Sequence, residues 1–180
     1  MAFRMWRKAV LLSLREKRVF IVFTLIYTTL IFLTSFFIDL GFEGMFGDFV
    51  WNFVLIFLGT SLFLSLLYAW ILVSRKRRIW ATFKCIGYTN KNILSLVSGM
   101  IFFTTIVGFL IVIEALLHYT AIVAYLNGVG IEISRPILVD LLPVVITSLI
   151  FIGVQIIAFI LAYRKVLKVR PIIALKKVGE

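Results

Sequence analysis

Four stretches of roughly twenty uncharged residues dominate this chain, and they leave it few ways to fold. They run from Val19 to Ile38, Phe49 to Ser74, Asn92 to Ile113 and Leu141 to Tyr163. A bilayer core is roughly 30 Å thick and an α-helix rises about 1.5 Å per residue, so each stretch is long enough to cross as a helix. Strands that cross membranes need short alternating segments, which are absent. With 63% hydrophobic and only 15% charged residues, the chain lies far from the balance of a soluble domain. The expected fold is all-α and integral to the membrane, with four transmembrane helices at 19–38, 49–74, 90–125 and 137–163.

The 19 Lys and Arg residues outnumber the 8 Asp and Glu, for a net charge of +11. Such an excess can mean nucleic acid, but here the cations are sorted by loop. Arg4, Arg7, Lys8, Arg15, Lys17 and Arg18 precede the first span. Arg75, Lys76, Arg77, Arg78, Lys84 and Lys91 separate the second from the third, and Arg164, Lys165, Lys168, Arg170, Lys176 and Lys177 follow the fourth. In the alternate loops only Arg135 is basic. By the positive-inside rule both termini and the central basic segment are expected in the cytoplasm of a multi-pass plasma-membrane protein, with no nucleic-acid partner. Anionic membrane lipids are the expected contact of that basic face.

Residues 1–18 mix cations with Phe3, Met5, Trp6, Val10, Leu11 and Leu14 at roughly helical spacing, the pattern of a helix lying in the interface. The first apolar stretch is too long for a signal-peptide core and no small-residue cleavage site follows it, so it reads as a retained span. The 164–180 segment reads as a cytoplasmic tail. Cys85 and His118 are the only residues of their types, expected on opposite sides of the membrane, so the chain offers no disulfide, metal cluster or nucleophile–base pair. No phosphate-binding GxxxxGK[ST] loop occurs.

The segment 75–88, "RKRRIWATFKCIGY", carries Ile79, Trp80, Phe83 and Ile86 at three- to four-residue spacing among cations. This predicts a short amphipathic helix on the cytoplasmic side. Gly87 suits the left-handed position beyond its end, and Thr89 the N-cap of the next helix. On pattern alone, a solvated basic loop that enforces topology and a docking helix for a partner both remain open.

Three segments, in order around the four spans, carry a family resemblance. "RRIWATFKCIGYTNKNI" resembles the cytoplasmic stretch of the FtsX-like, MacB-type ABC transporter permeases, which reads like "RRREIGILRALGASRRQI". Arg77, Arg78, Phe83, Lys84, Ile86, Gly87, Thr89, Lys91 and Ile93 match it in type. "AYRKVLKVRPIIALK" resembles the family's "PARRAARLDPVEALR" after the last span, and "SLREKRVFIVF" its basic elbow before the first. The chain departs at Ile79, Arg170 and Ile173, where the family has acids, and at Ala81, where it has Gly. The loop from Asp39 to Asp48 also leaves no room for the family's large extracytoplasmic domain.

The resemblance implies a permease subunit without its own catalytic site, paired with a second protomer, identical or homologous, and with an ABC ATPase subunit that holds ATP and Mg. Arg77, Arg78, Phe83, Lys84, Ile86 and Gly87 would then form the coupling surface, with Trp80 in the membrane and Phe83, Lys84 and Ile86 partly in a groove of the ATPase. It further implies export or membrane extraction of a hydrophobic or amphiphilic substrate, or force transmission to a separate outer-face subunit. The rival expectation is a small proton- or ion-coupled carrier using Glu114 and His118, one turn apart in span three. Gln155 in span four is expected to bond another helix rather than a ligand. Gly59 with Ser61, Gly99 and Gly108 are expected at close helix contacts.

Overall fold

A computed structural model of the chain describes residues 2–44, 47, 49–75, 77–130 and 138–167, with side chains except at 2–4, 77–78 and 159–167. The described residues form six helices: α1 (Ala2–Arg15), α2 (Lys17–Phe42), α3 (Phe49–Arg75), α4 (Arg77–Cys85), α5 (Asn90–Gly128) and α6 (Leu141–Leu167). Four of these, α2, α3, α5 and α6, are long and apolar enough to cross a membrane. The protein is thus all-helical and multi-pass, as its uncharged stretches require.

The element bounds differ from the expected ones in instructive ways. α2 continues past Asp39 to Phe42, because that carboxylate is buried inside the bundle and does not end the helix. The connection to α3 turns through Gly44 and Gly47, both at positive φ. The basic N-terminal segment breaks at Glu16, whose N–H closes a turn on the Ser13 carbonyl, so α1 and α2 are separate helices. Arg75 belongs to the end of α3, and the central amphipathic helix is only Arg77–Cys85. α5 is a single unbroken helix about 58 Å long, nearly twice the span of a hydrocarbon core.

α2 packs against α3, α5 and α6, with an aliphatic and aromatic core that includes Tyr27, Ile31, Tyr68, Met100 and Phe151. Inside that core lies a polar layer. Tyr27 and Ser65 share a 2.8 Å hydrogen bond between α2 and α3. Tyr68 and Thr104 share one of 3.1 Å between α3 and α5, and the Gln155 amide of α6 donates to the Thr105 hydroxyl of α5. In lipid such bonds give the helices a fixed register, because a polar side chain facing hydrocarbon has no other partner.

Gly99 and Gly108 sit where the helices approach most closely. A Cβ on Gly99 would lie 2.8 Å from the Ala9 Cβ of α1, and one on Gly108 would lie 3.3 Å from the Thr28 backbone nitrogen of α2. The expectation for Gly59 fails: it is exposed, and a Cβ there meets nothing within 4 Å. Its neighbour Ser61 is buried and bonds the Leu58 carbonyl of its own helix at 2.9 Å.

Candidate functional site

α4 is held by hydrogen bonds at two places, its C-terminus and Trp80. At its C-terminus the Tyr88 N–H reaches the Phe83 carbonyl at 2.9 Å and the Gly87 N–H the Lys84 carbonyl at 3.1 Å. This paired closure needs a left-handed residue, and Gly87 supplies it with φ of 97°. The chain then extends at Thr89, whose hydroxyl accepts from the Asn92 N–H at 3.4 Å and starts α5. Only Tyr88 and Thr89 intervene between Gly87 and α5, so α4 and α5 are joined by a short, hydrogen-bonded turn.

The other tie comes from Trp80. Its indole Nε1 donates to the Leu72 carbonyl of α3 at 3.2 Å, satisfying one of the last four carbonyls that a helix cannot pair internally. The ring is almost completely buried. This corrects the expectation that Trp80 anchors in lipid: it is part of the core and latches α4 beneath the end of α3. Phe83 is half-buried too, stacked on Tyr88 with ring centroids 5.1 Å apart.

Of the expected coupling residues, Ile86 is exposed, at 68%. Lys84 is partly buried, and the Gly87 backbone is exposed. The side chains of Arg77 and Arg78 lie outside the described residues. Phe83 is partly covered, whereas Ile79 and Thr82 of α4 and Ile86 just past its end, three and four residues apart, are exposed along one side. Cys85 is exposed beside it.

The intramembrane polar residues do not form one site. His118 Nδ1 lies 3.5 Å from a Glu114 carboxylate oxygen, and both side chains are about 70% exposed on α5. His118 Nδ1 also lies 2.9 Å from the Glu114 carbonyl oxygen of its own helix. The shallow surface hollow around them is lined otherwise by Val107, Leu110, Ile111 and Ala115. Gln155 instead is buried in the polar layer against Thr105, as a helix-to-helix contact. Among the described residues no His, Cys, Asp or Glu side chains gather in threes that would hold a metal ion.

The family model described as FtsX-like permease C-terminal matches residues 51–171, about two-thirds of the chain. The chain belongs to the FtsX-like permease family. The match takes in almost all of α3 and the whole of α4, α5 and α6. No curated protein and no solved structure matches significantly.

In this FtsX-like permease, the matched region carries both anchors of α4, from Leu72 to Thr89. The sequence points to Gly87 and Thr89 directly, because each does a local backbone job. It does not reveal that Trp80 turns inward and Ile79 outward. Adjacent apolar residues on a nine-residue helix share one face in sequence, and only the packing beneath α3 decides which is covered. Thr82 carried no signal at all. The second family segment, around Pro171 and Ala174, lies outside the described residues.

Proposed function

We propose that this protein is the transmembrane subunit of an ABC transporter, and that α4 is the element that receives motion from a separate ATPase subunit. FtsX-like permeases are ABC transporter subunits, which implies an ATPase partner. The observation that carries the reading is the double tie of α4: Trp80 to α3 on one side and the Gly87 turn to α5 on the other. A helix held this way transmits a push to two spans at once, whereas a solvated loop absorbs it. The exposed stripe of Ile79, Thr82 and Ile86 is the docking face, and Lys84 with the cations at Arg77 and Arg78 sets register with acids on the partner.

In this reading ATP and Mg belong to the ATPase, two permease protomers pair with two ATPases, and the basic ends of the helices face the cytoplasm of a plasma-membrane complex. The substrate is a hydrophobic or amphiphilic molecule that enters laterally from the bilayer, and its movement is outward or out of the membrane. A transmission of force to an outer-face subunit uses the same coupling element. The carrier alternative gains nothing from the geometry of Glu114 and His118, whose pair is open on one helix face and separate from the polar layer.

The test is co-purification in mild detergent from native membranes, scored for an ATP-hydrolysing subunit. Wild type is expected to bring one down, and Ile86→Glu to lose it while keeping its helical content and melting behaviour. Recovery of well-folded wild-type protein without an ATPase defeats the reading.

A further inference from the structure

A cavity of about 280 Å³ opens where α1 crosses the start of α5, lined by Lys8, Leu11, Leu12, Arg15, Phe83, Tyr88 and Leu96. Its wall is hydrocarbon apart from the Tyr88 ring, and its two cations belong to exposed residues of α1. Lys8 is placed by Tyr88: its ammonium donates to the Tyr88 hydroxyl at 2.5 Å and lies 5.2 Å from the ring centroid. The cavity lies at the basic end of the bundle, near where the apolar stretch of α2 begins. With charged residues on one side and the uncharged stretch from Val19 on the other, that is where the change from headgroups to chains is expected.

We propose that this cavity is a binding site for one anionic phospholipid of the surrounding leaflet. An occupant must present an apolar chain to Leu11, Leu12 and Leu96 and a net negative headgroup to Lys8 and Arg15. A membrane lipid has both parts at this spacing and is present at high concentration beside the opening. A free phosphate satisfies only the cations and leaves the apolar wall uncovered. A zwitterionic lipid fills the wall but sets its own ammonium beside two other cations.

The bound lipid would touch α1, Phe83 at the end of α4 and Tyr88 in the α4–α5 turn. It would therefore hold the interfacial helix against the element proposed to couple to the ATPase. The site itself does not depend on that function, and it is tested without an ATPase.

The full chain is reconstituted in bilayers with equal phosphatidylcholine and phosphatidylglycerol, extracted gently and weighed intact with its retained lipids. One phosphatidylglycerol per chain is expected in preference to phosphatidylcholine. Lys8→Ala/Arg15→Ala is expected to lower that retention about thirtyfold, given roughly 1 kcal/mol for each of the two cations near a lipid surface. Leu12→Trp, which fills the cavity with both cations intact, is expected to lower it as well. Arg7→Ala/Lys17→Ala removes the same charge from residues that do not line the cavity and is expected to retain the lipid. Equal retention of both lipids, or equal loss in the Arg7/Lys17 control, overturns the proposal, as does displacement of the lipid by millimolar inorganic phosphate. Should the cavity variants unfold, phosphatidylglycerol with a photoreactive chain applied to wild type decides: labelled peptides from α1 and 83–96 support the site, and labelling elsewhere refutes it.

Discussion

Three glycines show how differently one residue type is used. At Gly87 the constraint is conformational: with φ of 97°, a Cβ costs about 1–2 kcal/mol although nothing stands within 4 Å of it. At Gly99 the backbone is helical and the constraint is space, because the added carbon would lie 2.8 Å from the Ala9 Cβ. Gly99→Ala is expected to destabilise by about 1–3 kcal/mol by pushing α1 off α5. Ala9→Gly should restore most of that loss, and a double-mutant cycle of unfolding in mixed micelles measures the coupling. Gly59→Ala meets neither constraint and is expected to be neutral or slightly stabilising in the same assay, since alanine is the better helix former. From sequence, Gly87 was legible because a helix needed an end there. Gly99 and Gly59 look alike until a neighbour is placed beside them.

Individual helices were legible where they answered to their own pattern and illegible where they answered to a partner. The amphipathic spacing of 77–86 encodes a helix, yet its buried face is chosen by the foot of α3. Trp80→Phe keeps the ring and removes the Nε1 bond to the Leu72 carbonyl, for a cost of about 1 kcal/mol. Because the lost bond is the latch between α4 and α3, faster hydrogen exchange is expected in 77–85 while the exchange of α2 is unchanged. An equal rise in both would show that Trp80 stabilises the bundle without holding α4 to α3. α1 repeats the lesson. Its pattern of Phe3, Met5, Trp6, Val10, Leu11 and Leu14 marks a helix for the interface, and Trp6, Leu11 and Leu14 are indeed exposed, but it does not show that Ala9 and Ser13 are fully buried and that Met5 and Leu12 pack against the core. The polar layer was foreseen only at Gln155. Tyr27, Tyr68 and their hydroxyl partners carry no charge and so do not interrupt a hydrophobic run. Gln155→Leu is expected to cost about 0.6 and at most about 1.7 kcal/mol, the range for hydrogen bonds between membrane helices. An unfolding loss well above that range would mean Gln155 does more than join α6 to α5.

For the whole molecule, the packing pairs align the charged bounds of the four spans. Thr28 lies against Gly108, Tyr68 against Thr104 and Gln155 against Thr105. With that register, Arg18 and Arg75 fall at one end of the bundle and Asp39 and Asp140 at the other. Glu114 lies about 9 Å beyond the level of Gly108 on the acidic side, while Asp39 lies about 16 Å beyond that of Thr28. Glu114 is therefore within reach of the interface but not at it, which is where a charge on an exposed helix face is least costly inside a bilayer. The span count was legible because uncharged runs are a property of sequence alone. The common level of their ends was not, because it depends on how the helices slide against one another.

That alignment makes the proposed orientation testable with the chain's own chemistry. Cys85 is the only cysteine and is exposed at the basic end. A membrane-impermeant maleimide added to intact cells is expected to leave it unmodified, and to modify it once the membrane is opened or inverted. In a Cys85→Ser background, Glu43→Cys and Asp140→Cys are expected to show the reverse, reacting from outside, since both lie at the opposite end of the bundle. Labelling of Cys85 in sealed cells would place α4 on the outer face, beyond the reach of any cytoplasmic ATPase. The coupling reading would then fail, while the fold and the lipid site at the basic end would stand.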